Sequence, residues 1–204
     1  IDPSSPRCDR FYAALAAAGL PLISHAGEEK AVHGGDQQAF GNPLLLRRAL
    51  DHGVRVVVAH CASLGSAVDL DQGESAPQVA CFDLFARLMG EARYEKLLFA
   101  DISALTQRNR SEEILRVLIE RSEWHPRLLN GSDYPLPGIV PLISPAEFAA
   151  RGLLPPSAVV VLELVRQHNP LLFDFVLKRH LSSRGQRFAP AIFETRAFFE
   201  RKTV

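Results

Sequence analysis

Four apolar runs in this 204-residue chain each end on a side chain that can bind a cation or move a proton: Leu20 to His25, Val54 to His60, Leu97 to Asp101 and Arg127 to Asp133. Neutral imidazole nitrogens and carboxylate oxygens are ligands that suit zinc and similar divalent ions, and a catalytic site leaves a position open for water. His25 and His60 end consecutive runs, so in a parallel sheet they are expected within reach of one cation, with Asp133 joining from another strand. Asp101 fits either a substrate contact or hydrogen bonding to the loop of Ser103 and Thr106. Glu28 and Glu29 read as solvated loop acids, one of which can reach the pocket. His33, His52, His125, His168 and His180 fall in loops or at helix ends, where capping or surface roles are favoured. Cys61, directly after His60, has no pattern that marks it as a nucleophile, and no Ser sits in a GxSxG elbow.

Continuous apolar runs of this kind are the mark of parallel strands buried on both faces, and helical patterns separate them. Ser5 and Pro6 give a cap and a first-turn proline for a helix ending at Gly19. Asn42 and Pro43 restart a helix by the same logic, with Leu44, Leu45, Ala49 and Leu50 on its apolar face and Gly53 after it. A polar connection, Ser63 to Gln78, leads to a helix from about Pro77 to Met89 carrying Val79, Phe82, Phe85 and Leu88. Ser111 opens a helix burying Ile114, Leu115, Leu118 and Ile119, with Glu112 and Glu113 at its positive end. Two further helices, near Ser157 to His168 and Pro170 to Leu181, complete the pattern, and the tail after Ser182 is ambiguous. Strand and helix alternation implies a parallel sheet with right-handed crossovers, open or closed into a barrel. No linker marks a second domain, so residues 1–204 read as one.

Composition narrows the function classes. Lys plus Arg and Asp plus Glu both total 23, which favours neither nucleic acid nor a charge-driven partner. Neither GxGxxG after a strand nor GxxxxGK[ST] occurs, which weighs against nucleotide binding. The three cysteines, Cys8, Cys61 and Cys81, form no CxxC pair, so neither a disulfide framework nor a thiolate zinc site is indicated. No run approaches the ~20 apolar residues of a membrane helix, and the N-terminus lacks the pattern of a signal peptide. A cytoplasmic protein acting on a small molecule, without nucleic acid or membrane, is the expectation.

The stretches Leu22-Ile23-Ser24-His25-Ala26-Gly27-Glu28, Val57-Val58-Ala59-His60-Cys61-Ala62 and Leu129-Asn130-Gly131-Ser132-Asp133-Tyr134-Pro135 resemble strands five, six and eight of the amidohydrolase superfamily, in its branch of TIM-barrel metal-dependent hydrolases. The last stretch is the most specific of the three. The resemblance implies the C-terminal half of a (β/α)8 barrel, strands five to eight, in a longer protein whose N-terminal half supplies the strand-one HxH and the strand-four ligand; no HxH occurs in this chain. It implies metal ligation by His25, His60 and Asp133, with one or two divalent ions, zinc above all. Asp133 and His60 are the implied catalytic residues, one accepting the proton of the attacking water and the other polarising the substrate or binding a second ion. Glu28, Asp101 and Tyr134 are the expected substrate contacts. The implied reaction is hydrolysis of an amide, ester or lactone. A metal-dependent lyase or decarboxylase of the same superfamily and a non-catalytic half-barrel are the alternatives. Four strands without the rest of a barrel leave two open edges, so pairing with the N-terminal half or with another copy is expected.

Overall fold

The computed structural model describes residues 1–28 and 35–200. Two units divide the chain: Ile1–Asp101 together with the terminal segment from Arg196, and Ile102–Thr195.

The first unit is α/β. Helix α1 (Asp9–Ala17) follows a 3₁₀ turn over Pro6–Cys8, where the Ser5 hydroxyl accepts from the Arg7 amide as the sequence suggests. Strand β1 (Leu22–His25) leads through a loop to a 3₁₀ turn, Pro43–Leu46, and helix α2 (Arg47–Asp51). The Asn42 side chain accepts from the Leu44 amide at 3.0 Å, so the cap read from sequence is present. The tight turn changes the buried face, however. Three residues per turn put Leu46 rather than Leu45 inside, with Leu44, Ala49 and Leu50.

Strand β2 (Val56–Ala59) is buried along its whole length. Each fully buried Val contributes on the order of 1.5–3 kcal/mol, which explains why three β-branched residues in a row form the centre of the sheet. The connection from Ser63 to Gln78, expected as a polar loop, holds an antiparallel hairpin of β3 (Ser66–Val68) and β4 (Gln78–Ala80). The helix expected from about Pro77 therefore begins later, as α3 (Cys81–Gly90), burying Phe82, Leu84, Phe85, Leu88 and Met89. Strand β5 (Leu98–Asp101) ends the sheet of this unit. Strands β1, β2 and β5 are parallel and in the order β1-β2-β5, with His25 opposite Ala59 and Val58 opposite Ala100. The terminal segment contributes Phe198, which lies under the Arg55 guanidinium at 4.7 Å and edge-on to Phe99 at 4.7 Å.

The second unit is mostly helical. Helix α4 (Glu112–Glu120) buries Leu115, Leu118 and Ile119, but Ile114 is only half-buried. The expected strand from Arg127 is reduced to β6 (Leu128–Leu129), because the preceding Ser122–Arg127 forms 3₁₀ structure and the chain turns after Leu129. Helix α5 (Pro145–Ala150), absent from the sequence reading, is capped by Ser144 accepting from the Glu147 amide. Helices α6 (Ala158–His168) and α7 (Pro170–His180) lie where expected, α7 with Asn169 as its cap. The ambiguous tail resolves into the short antiparallel pair β7 (Ser182–Ser183) and β8 (Gln186–Arg187), followed by a 3₁₀ turn at Pro190–Phe193. Among the described residues no helix is long and apolar enough to cross a membrane.

Candidate active site

His25 and His60 stand at the C-terminal ends of neighbouring parallel strands, and their rings meet edge to face with centres 5.4 Å apart. Parallel strands lie about 4.8 Å apart, so adjacent strand ends bring such side chains together without special loops. Two imidazoles binding one tetrahedral ion through nitrogens about 2.0–2.1 Å from it have ring centres roughly 5 Å apart. The ring spacing is compatible with two ligands of one cation and is also that of an ordinary edge-to-face ring contact. The His25 Nε2 is buried, and the His60 side chain is 12% exposed.

The backbone at His60 is unusual. His60, Cys61 and Ala62 have φ of 57°, 50° and 48°, three successive left-handed residues, none of them glycine. Such a conformation costs of order 1–3 kcal/mol per residue and persists only where its surroundings hold it. Asp101, at the end of β5, supplies part of that hold. Its Oδ1 accepts the His60 amide at 3.1 Å and lies 3.9 Å from His60 Nδ1, while the Cys61 thiol donates to the Asp101 carbonyl at 3.2 Å. In sequence Asp101 fits either a substrate contact or a bond to its own loop. The structure gives it a third part, as the acceptor that fixes the turn carrying His60.

Glu28 is half-buried and its amide donates to the Leu64 carbonyl at 2.9 Å, joining the loop after His25 to the loop after His60. Gly27 makes that crossing possible: its φ is +96°, and a Cβ there would lie 2.5 Å from the Leu64 oxygen. The Glu28 side chain lines a cavity of about 690 Å³ with Gln38, Asn42, Ser66, Glu74 and Gln78. Cys81 also borders it. Burial, and secondarily the Glu28 charge, push its thiol up to about 11, so it stays protonated at neutral pH. Glu29 and His33 lie outside the described residues.

Asp133 belongs to the second unit. It too is left-handed, with φ 54°, and its Oδ2 is 3.5 Å from the Gln107 Nε2. Its carbonyl accepts the Leu136 amide, and the Asn130 amide is held by the Ile192 carbonyl at 2.8 Å. Asn130 Oδ1 is buried with no hydrogen-bond partner among the described residues, an arrangement costing about 1–3 kcal/mol. Tyr134 is 65% exposed. His52 and His180 bond the Arg48 and Val176 carbonyls at their helix ends and His168 is exposed, as expected, whereas His125 is buried, bonding the Leu118 carbonyl and the Ala189 amide and packing on Phe188.

Among the described residues no group of three or more His, Cys, Asp or Glu side chains is placed to hold a metal ion. His25 and His60 are donors of a type that suits a zinc-like ion, and a complete set is not assembled within either unit. Comparison with protein-family models, with curated proteins and with solved structures finds no match.

Two charged clusters escaped the sequence reading. In the first unit Arg87 binds Asp69 at 2.6 Å and Asp71 at 2.8 Å, while Arg47 binds Asp71 and, at 2.6 Å, Glu91. In the second, Lys178 and Asp174 form a buried pair at 2.7 Å. Their only sequence signal is the four-residue spacing on an apolar helix.

Proposed function

We propose that this chain is part of a metal-dependent hydrolase of the amidohydrolase type, acting on an amide, ester or lactone, with His25 and His60 as metal ligands. The observation that carries the reading is the 5.4 Å ring separation of two histidines at adjacent parallel strand ends, positions from which α/β barrels draw their catalytic groups. The resemblance in sequence around Asp133 adds the acid, and the barrel and its further strands belong to this proposal too. A bound divalent ion would supply Lewis-acid polarisation of a carbonyl and acidify a water molecule.

The chain's own residues have the following parts. His25 and His60 offer imidazole nitrogens to the ion. Asp101 holds the His60 backbone and keeps that ring at its place on the strand end, the outer-shell role that tunes metal affinity. Asp133 accepts a proton from water and returns it to the leaving group. Glu28 and Tyr134 contact the substrate.

Zinc content after dialysis tests the reading in the full chain. His25→Ala should lose at least tenfold in zinc affinity, and in the catalytically competent protein ester or lactone turnover in ¹⁸O-water should place the label in the product acid. Equal zinc affinity in wild type and His25→Ala removes the site, and product without label indicates a lyase.

A further inference from the structure

The Lys178–Asp174 pair lies on α7, with side chains 1% and 2% exposed. Buried ion pairs are weak sources of stability, because desolvating both charges offsets most of their attraction, and well-packed apolar residues often do as well. Lys178 has a second contact that an ion pair alone does not need. Its Nζ donates at 2.7 Å to the carbonyl of Gly131, two residues before Asp133.

The segment it reaches is bonded at its two ends, by the Asn130 amide and by the Asp133 carbonyl, which accepts the Leu136 amide at 3.0 Å. Asn130 is tied by its amide to Ile192, Asp133 adopts a left-handed conformation, and the Asp133 carboxylate has Gln107 at the 3.5 Å limit of a hydrogen bond. Burial raises the Asp174 carboxyl above its ordinary value, Lys178 draws it back down, and the charge of Asp133 adds to the rise. The ammonium is thus bonded both to the Asp174 carboxylate and to the backbone two residues before Asp133.

We infer that Lys178 is a positioning residue for Asp133: its ammonium, kept in place by Asp174, pins the Gly131 carbonyl and so fixes the turn from Asn130 to Asp133. What the positioned carboxylate does rests on the hydrolase reading; that Lys178 positions it does not. A charged donor suits this task because a charge-assisted hydrogen bond is about twice as strong as a neutral one. Arg could replace the charge, whereas Met could replace only the volume.

The test is amide hydrogen exchange on the full chain, with zinc binding by the wild type measured beside it. In Lys178→Met, exchange at the Asn130 and Leu136 amides, which bond the Ile192 and Asp133 carbonyls, should rise at least tenfold while the amides of α4 and α6 keep wild-type rates; Lys178→Arg should restore the wild-type rates. A residue serving only the core would raise exchange throughout the unit instead. Should Lys178→Met not fold, Lys178→Gln carries the test, since its shorter side chain cannot span Asp174 and Gly131 together and should give the same local rise, smaller in size. Wild-type exchange at Asn130 and Leu136 in the folded variant, or a uniform rise across the unit, overturns the inference. A wild-type chain that binds no zinc overturns the hydrolase reading and leaves the exchange result to decide the role of Lys178.

Discussion

Three successive left-handed residues, His60 to Ala62, stay in place because Asp101 accepts the His60 amide and its carbonyl accepts the Cys61 thiol. A hydrogen bond to a charged acceptor contributes about 1.5–3 kcal/mol. Asp101→Ala should therefore lower unfolding free energy in urea by about 2 kcal/mol, and Asp101→Asn, which keeps an acceptor oxygen, by less than half of that. Equal losses in the two variants would show that the acceptor is not what holds the turn. Single residues were unevenly legible in the sequence. His25 and His60 stood out because each ends an apolar run, and strand pairing then did the rest. The partner of Asp101 is 41 residues away, and the left-handed run has no glycine to announce it. Lys178 was hidden in the same way, since nothing in a helical pattern says that one lysine points inward.

Elements built on hydrophobic period or on caps were readable: α1, α6 and α7, the Asn42 cap and the buried β2 all lie where the pattern places them. The β3/β4 hairpin was not, because its strands are three residues long and half-exposed, too short for a period to register. Beside it runs the network of Asp69 and Asp71 with Arg87 and Arg47. The Arg87 guanidinium holds the Asp69 carboxyl below the usual carboxylate range, and Arg47, with Arg87, does the same for Asp71. A folded pKa below the unfolded value of about 3.9 gives stability that is fully present above that value and is lost as pH falls towards the folded one. Arg87→Met should accordingly lower the melting temperature most above about pH 5, and the gap from wild type should close as pH falls below about 4. A gap that stays constant down to pH 2 would assign the loss to packing of the arginine stem instead.

At the scale of the whole molecule, the first unit carries the parallel sheet with the two histidines and the second carries Asp133 with its lysine anchor. The return of the terminal segment to Arg55 and Phe99 in the first unit had no signal in sequence, because it depends on a contact 143 residues apart. Strand β1 is at the edge of its sheet, and Ile23 on it is 58% exposed. An edge with an exposed apolar side chain invites pairing, and a lysine on such a strand discourages it. Sedimentation velocity should show concentration-dependent association of the 204-residue chain and less of it in Ile23→Lys; identical monomeric boundaries for both would remove the edge as a contact surface. The claim on which the functional reading turns is that His25 and His60 bind one ion. X-ray absorption at the zinc edge of the loaded full chain measures this most directly. The expected spectrum shows two imidazoles with Zn–N of about 2.0–2.1 Å, falling to one in His60→Ala; a wild-type spectrum with oxygen ligands alone, or one unchanged by that substitution, would contradict the account.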